Sequence, residues 1–264
     1  MRADENAIKF AEDLIKIGNG DANDENDYIT VPESCITENN LVDEIFSDIF
    51  RSHDYDQLID SAILSPYNAT VDDYNIQCLN DFDGDCKVYN SIDETDNNET
   101  FGITTEILNT LRVSSLPEHL LILKKDCPVM LLRNLNLDDG LCNGTRLQIL
   151  NLGKYVIRCR IMSGEKVGEI CFLPRITIIE DKQFPFVLRR HQFPIKLAFA
   201  FTINKSQAQT FKKIGIDYTN DVFAHGQNYV ALSRGKNWYG IKIKLGIQTD
   251  HKIKNIVWRE VLND

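Results

Sequence analysis

Five short apolar runs lie between residues 120 and 173, and turn signals separate them: LLIL (120–123), PVMLL (128–132), RLQIL (146–150), YVIRCRI (155–161) and EICFL (169–173). The breaks fall at Asp139-Gly140, Asn143-Gly144, Gly153 and Ser163-Gly164. Runs this short at this spacing cannot be helices of ordinary length and predict a small β-barrel. Elsewhere the pattern alternates. Residues 6–17 place Ile8, Ala11, Leu14, Ile15 and Ile17 near helical spacing, and Gly18 and Gly20 end that helix. Residues 39–50 repeat the pattern with Leu41, Ile45, Phe46 and Ile49. SAILS (61–65) reads as a buried strand stopped by Pro66, and 69–80 as a helix with Thr70 as N-cap. Beyond 195 come KLAFAF as a strand, Asn204 to Phe211 as a helix, IGIDYT as a strand, HGQNYVALSR as a helix and WYGIKIKL as a last strand. The acidic stretch 93–100 reads as a linker. The whole predicts an α/β lobe carrying a β-rich insertion.

Charge is divided along the chain. Residues 1–100 hold 25 acidic and 5 basic side chains, against 14 and 24 in residues 101–264, so a net −10 conceals halves near −20 and +10. Such asymmetry permits a nucleic-acid partner and equally suits a solvated acidic segment beside a basic domain. The seven cysteines are scattered and never spaced as CxxC, which predicts neither a disulfide framework nor a metal site, and a reducing compartment, nuclear or cytoplasmic. No run reaches the about 18 apolar residues of a membrane span, and no signal peptide is read at the start. The five histidines stand in unrelated contexts, His225 reading as a helix-start or packing residue, and no GxSxG or HExxH accompanies them.

Two segments carry chemistry. Thr202-Ile203-Asn204-Lys205-Ser206-Gln207-Ala208-Gln209-Thr210 sits where a strand gives way to a helix, a junction whose free N–H groups suit phosphate. In Tyr229-Val230-Ala231-Leu232-Ser233-Arg234 an arginine ends an apolar helical stretch, where it is either a solvated charge or a group reaching across a cleft to phosphate. In this order and spacing the pair resembles motifs V and VI of superfamily-one DNA helicases of the RecD/Pif branch, most closely the Pif-like helicases of Helitron transposons. The resemblance also runs through residues 61–75, 120–150, 174–176, 189–210 and 222–234, and covers roughly 6–245.

That resemblance implies a RecA-like second motor domain (1–98 and 187–246, with a tail at 247–264) interrupted by an SH3-like β-barrel at 99–186. It implies Arg234 as an arginine finger, Gln207 and Gln209 near a nucleotide, and Thr202, Asn204, Lys205 and Ser206 coupling the cleft to DNA. Lys124, Lys125, Arg133, Arg146, Arg189 and Arg190 are candidates for neutralising phosphates of single-stranded DNA, while Asn134, Asn136 and Asn143 read as turn caps. ATP and Mg2+ are the cofactors expected of such a family. Yet no GxxxxGK[S/T] loop and no apolar strand ending in Asp-Glu occurs in the 264 residues. The chain is therefore expected to be the C-terminal part of a helicase whose ATP-binding lobe is missing or supplied in trans, or else a non-catalytic module binding DNA or a partner. Ala208 stands where the family pattern has glycine; if that position takes positive φ, its Cβ costs about 1 kcal/mol or more.

Overall fold

The computed structural model describes residues 5–96, 102–246, 251–258 and 260. Two compact units are distinguished: Met1–Cys78 together with Phe199–Asp264, and Leu79–Ala198.

The first unit is built on a four-stranded, wholly parallel sheet. Its strands are β2 (Ser61–Ser65), β13 (Ala200–Thr202), β14 (Lys213–Tyr218) and β15 (Ile241–Leu245), in the order β13-β2-β14-β15. Parallel strands are covered on both faces and so read as unbroken apolar runs; all five residues of β2 are buried. Helix α1 spans Glu5–Asn19, α2 Leu41–Ser52 and α3 Asn68–Asp81. Asn40 caps α2, its side chain accepting from Val42 N at 2.9 Å. The helix then buries Leu41, Val42, Ile45, Phe46 and Ile49. Gly215 in β14 lets α2 lie close to the sheet, since a Cβ there would meet Ile45 Cγ1 at 3.0 Å and Leu41 Cδ2 at 3.3 Å. From α3, the buried Asn75 amide donates to Ala200 O (2.8 Å) and accepts from Ala200 N (3.0 Å), so the edge strand β13 keeps its backbone paired on the outer side. A short antiparallel pair, β1 (Tyr28–Thr30) with β16 (Lys252–Lys254), completes this unit.

Three sequence expectations change here. Helix α3 begins at Asn68, so Thr70 lies inside it and does not cap it. Helix α1 buries Phe10 and Ile17 but leaves Ile8 49% and Ile15 60% exposed, so its covered stripe is narrower than the apolar spacing suggests. KLAFAF is two strands, because β12 (Ile195–Leu197) belongs to the second unit and β13 to the first.

The second unit is antiparallel throughout its paired strands. β6 (Pro128–Leu131), β7 (Arg146–Leu152), β8 (Val156–Ile161) and β9 (Ile170–Pro174) follow the predicted runs and pair with β12 in the order β12-β6-β7-β8-β9. β3 (Lys87–Asn90) pairs with β5 (Leu120–Leu123), and β4 (Ile92–Thr95), β10 (Ile176–Glu180) and β11 (Leu188–Gln192) form a sheet in the order β10-β11-β4. Helix α4 (Thr105–Thr110) buries Leu108 with Val113, Leu116, Ile178 and Leu188. Residues 93–95 are thus strand and not linker, while 97–100 lie outside the described residues. The sequence reading divides the chain at 98/99 and 186/187. The contacts divide it at 78/79 and 198/199, since β3, β4, β11 and β12 all pair within the second unit.

Candidate functional site

At the carboxyl end of β13 the chain does not enter the predicted helix. A single 3-10 turn covers Ile203–Ser206, and the backbone then reverses. Gln209 N donates to Ser206 O at 3.1 Å, Gln207 has φ −54° and ψ 141°, and Ala208 has φ +63°. These values describe a type II turn, whose third residue needs positive φ and is ordinarily glycine. Helix formation from Asn204 to Phe211 is interrupted because Ala208 sits in that left-handed conformation.

The turn is fastened to the end of helix α5 (Gln227–Leu232) by Arg234. The half-buried guanidinium donates from Nη1 to Gln209 O (2.9 Å) and Ser206 O (3.4 Å), from Nε to Val230 O (2.9 Å), and from Nη2 to Ser233 Oγ (2.8 Å). Its own carbonyl accepts from Phe211 N at 2.8 Å. Burial pulls the guanidinium pKa below its ordinary value, and Tyr229 opposes the shift; an arginine stays charged there all the same. Ser206 is fully buried and its hydroxyl donates to Ile203 O at 2.6 Å. Gln207 is exposed and Gln209 half-buried. Thr202 is half-buried, opposite Ser65 in the β13–β2 register. Lys205 is half-buried, and the exposed Asn204 accepts from Gln227 Nε2 at 3.5 Å.

Ser206, Gln209 and Arg234 are therefore joined directly. Asn204 is tied in through Gln227, a residue the sequence reading did not single out. Gln227 Oε1 also accepts from Phe223 N (3.1 Å) and Ala224 N (3.3 Å), which fixes the loop entering α5. In the structure Gln227 is buried and opens α5 after Gly226, which has φ +70°; the sequence alone carries no signal of that burial. His225 accepts from Trp258 N at 3.0 Å and stacks on that indole, as a packing residue does.

The six cations assigned to phosphate divide in two. Lys124, Arg146 and Arg190 are buried, and this corrects the expectation for them. Lys124 Nζ donates to Phe82 O, and Arg146 Nη2 to Ala198 O at 3.1 Å. Burial also pulls the Arg146 pKa down to about 9. Arg190 grips the buried Asp93 and donates to the carbonyls of Leu108, Leu111 and Pro117. Side chains at or below a tenth exposure, spent on internal acceptors, have no reach to a phosphate in solvent. Lys125 is 69% exposed at its side chain, Arg189 is 40% exposed beside Asp96 at 2.8 Å, and Arg133 is half-buried. Two of the three asparagines accept from backbone N–H groups as expected: Asn134 Oδ1 from Asn143 N at 2.8 Å, and Asn136 Oδ1 from Asp138 N at 3.1 Å. No described helix is long and apolar enough to cross a membrane.

The family model described as "DNA helicase Pif1, 2B domain" matches residues 106–152. The chain is 34% identical over 148 residues to the human ATP-dependent DNA helicase PIF1, covering 55% of this chain and 22% of that protein. The crystal structure of Pif1 helicase from Candida albicans superposes with a TM-score of 0.61 at 23% identity, covering 97% of this chain and 57% of that one. Pif1 helicase from Bacteroides in complex with ADP-AlF3 and ssDNA superposes with a TM-score of 0.59 at 22% identity, covering 100% and 54%. The chain thus spans less than a quarter of the human relative and about half of each of these two solved chains. Residues 106–152 are thus similar in sequence to the Pif1 2B domain, and the chain shares the fold of the corresponding part of solved Pif1 helicases.

Proposed function

We propose that the chain is the C-terminal portion of an ATP-dependent DNA helicase of the Pif1 type, its strings closest to the Helitron branch. In this reading the parallel-sheet unit is the second RecA-like motor lobe, and the antiparallel unit holds the SH3-like barrel. The observation that carries it is the Arg234 clamp, which holds the type II turn and the end of α5 as one body. The clamp joins the two motifs beside Phe211, at the amino end of β14, and it is their order and spacing that supports the reading. Arg234 then serves as an arginine finger, with Gln207 and Gln209 beside the nucleotide and Thr202, Asn204, Lys205 and Ser206 passing cleft movement to single-stranded DNA. Lys125, Arg133 and Arg189 are the cations left to meet phosphates. DNA unwinding in repair, recombination and telomere maintenance is the corresponding family role.

ATP and Mg2+ belong to this reading, and the residues of this chain fit them only in part. Arg234 suits a terminal phosphate. Among the described residues no group of three or more His, Cys, Asp or Glu side chains is disposed to hold a metal ion. The sequence contains no phosphate-cradling GxxxxGK[S/T] loop. These 264 residues by themselves therefore do not turn over ATP, and Arg234 acts on a triphosphate held by an ATP-binding lobe outside them. The test is ATP hydrolysis by the purified chain, with and without single-stranded DNA and with Arg234→Ala as control. Turnover at background in every case is expected. DNA-stimulated turnover lost in the variant would reveal a phosphate site within this chain and sink the reading. A non-catalytic DNA-binding module is the second reading, favoured by the engagement of the Arg234 guanidinium with its own loop. It predicts salt-dependent DNA affinity that survives Arg234→Ala.

A further inference from the structure

All seven cysteines are free thiols, and strand register places two of them together. Cys159 in β8 lies directly opposite Cys171 in β9. The other five, Cys35, Cys78, Cys86, Cys127 and Cys142, stand outside the named strands. Ile157, Cys159, Ile161, Cys171 and Leu173 are the buried positions of the two strands, so both thiols lie on the inward side of the hairpin. Side chains opposed on one face of an antiparallel pair have Cβ atoms about 4.5–5.5 Å apart, and a disulfide needs about 3.5–4.5 Å. The approach required is about an ångström. Strand β9 can supply it, because it ends the sheet order and among the described strands pairs with β8 alone.

The two sulfurs are already donor and acceptor, the Cys159 S–H donating to Cys171 Sγ. That hydrogen bond holds the Cys171 thiol below its ordinary value, against the opposing effect of burial. The same bond, with burial, pushes the Cys159 thiol up. Access differs in the same sense, since Cys159 is 0% and Cys171 8% exposed. For packing alone the pair would be two small apolar groups. A sulfur with thiolate character near the surface, backed by a covered thiol that points at it, is instead the arrangement of a peroxide-reactive cysteine and its resolving partner.

We propose that Cys159 and Cys171 form a reversible oxidation site for hydroperoxides, which closes as a disulfide between β8 and β9. The Cys171 thiolate attacks the outer oxygen of the hydroperoxide, the O–O bond breaks, and the alkoxide leaves and takes up a proton, so that Cys171 becomes a sulfenic acid. Cys159 Sγ then attacks that sulfur, its proton departs with the hydroxyl group as water, and the S–S bond forms. Two thiols lose two electrons and two protons, and the hydroperoxide is reduced to an alcohol and water. Exchange with a dithiol restores both thiols. The site lies outside the two helicase motifs and stands whether or not the chain is part of a helicase. In the experiment the full chain is treated with hydrogen peroxide at a dose that oxidises the exposed Cys86, and remaining thiols are alkylated after unfolding. Trypsin then cleaves after Arg158, Arg160, Lys166 and Arg175, which puts Cys159 and Cys171 on separate peptides, 159–160 and 167–175. The expected result is these two peptides joined within one chain and parted by dithiothreitol. Cys159→Ala should leave Cys171 as a sulfenic acid that dimedone captures, and Cys171→Ala should leave Cys159 unoxidised. The urea midpoint shows whether each variant folds, and where one does not, the peptide map of the unaltered chain decides by itself. Cys159 and Cys171 both still alkylated at that dose would overturn the proposal. So would a bridge between Cys86 and Cys127 in their place, or the two peptides joined only in a covalent dimer.

Discussion

Ala208 stands at the third position of a turn whose geometry is made for glycine, with φ +63°. An L side chain in that region costs about 1–2 kcal/mol, and the smaller unfolded-state entropy of alanine returns about 0.4–1 kcal/mol. Ala208→Gly should therefore stabilise the chain by about 0.5–1 kcal/mol, read as a raised urea midpoint with unchanged slope. A midpoint at or below that of the unaltered chain would mean that the turn relaxes around the methyl group. The motif pair was legible as a pair because order and spacing made it specific, and so was the conditional cost at position 208. The conformation was not legible: polar residues after a strand suit a helix start or a turn equally, and Ala favours the helix. Gln227 escaped notice for a related reason. A glutamine counts as a surface residue until its partners, here two backbone N–H groups and Asn204, are known.

At the scale of elements, the instructive case is the sheet β10-β11-β4. Its central strand reads LRRHQ, with Arg190 and Gln192 buried between positions that face outward. The stretch holding Asp93 is so acidic that it reads as a linker. Each charge taken alone predicts solvent, and only the pairing of β11 with β4 brings Arg190 opposite Asp93. The guanidinium reaches that carboxylate at 2.6 Å and three carbonyls of the chain around α4, which satisfies a buried ion completely enough to keep it. Asp93→Ala leaves a buried guanidinium without its counter-charge and should cost about 3–5 kcal/mol. Arg190→Met combined with Asp93→Val should recover most of that loss, since apolar pairs of similar volume often replace a buried ion pair without net cost. Urea unfolding of Asp93→Val, Arg190→Met and the double variant gives the coupling. Additive losses would show that the pair is held by its carbonyl contacts and not by mutual charge. Strands β5 to β9, by contrast, were legible from hydrophobic runs and turn residues because no long-range ion pair decides them.

For the whole molecule, the question is which stretch is the insertion. The parallel sheet is interrupted between α3 and β13, and Asn75 in α3 bonds both backbone groups of Ala200 in β13. The chain therefore leaves the first unit and returns to it at neighbouring points, as an inserted domain does. The resemblance marks 99–186 as the insertion, around apolar runs and turn signals that register strands but not strand partners. Contacts mark Leu79–Ala198. The difference is testable because the shorter stretch discards β3, β4, β11 and β12, and with them the partners of β5, β10 and β6 and both members of the Arg190–Asp93 pair. A fragment of residues 79–198 should give dispersed amide resonances and a single sigmoidal urea transition, whereas 99–186 should give a collapsed spectrum and a broad transition or none. Leu123, Val129, Leu131, Leu147, Ile149, Ile157, Leu173 and Ile195, all within 79–198, are fully buried in the chain. If 99–186 folded as cooperatively as 79–198, the β4–β11 sheet would be an ornament on an already stable barrel, and the buried ion pair would have to be explained by something other than the folding of this unit.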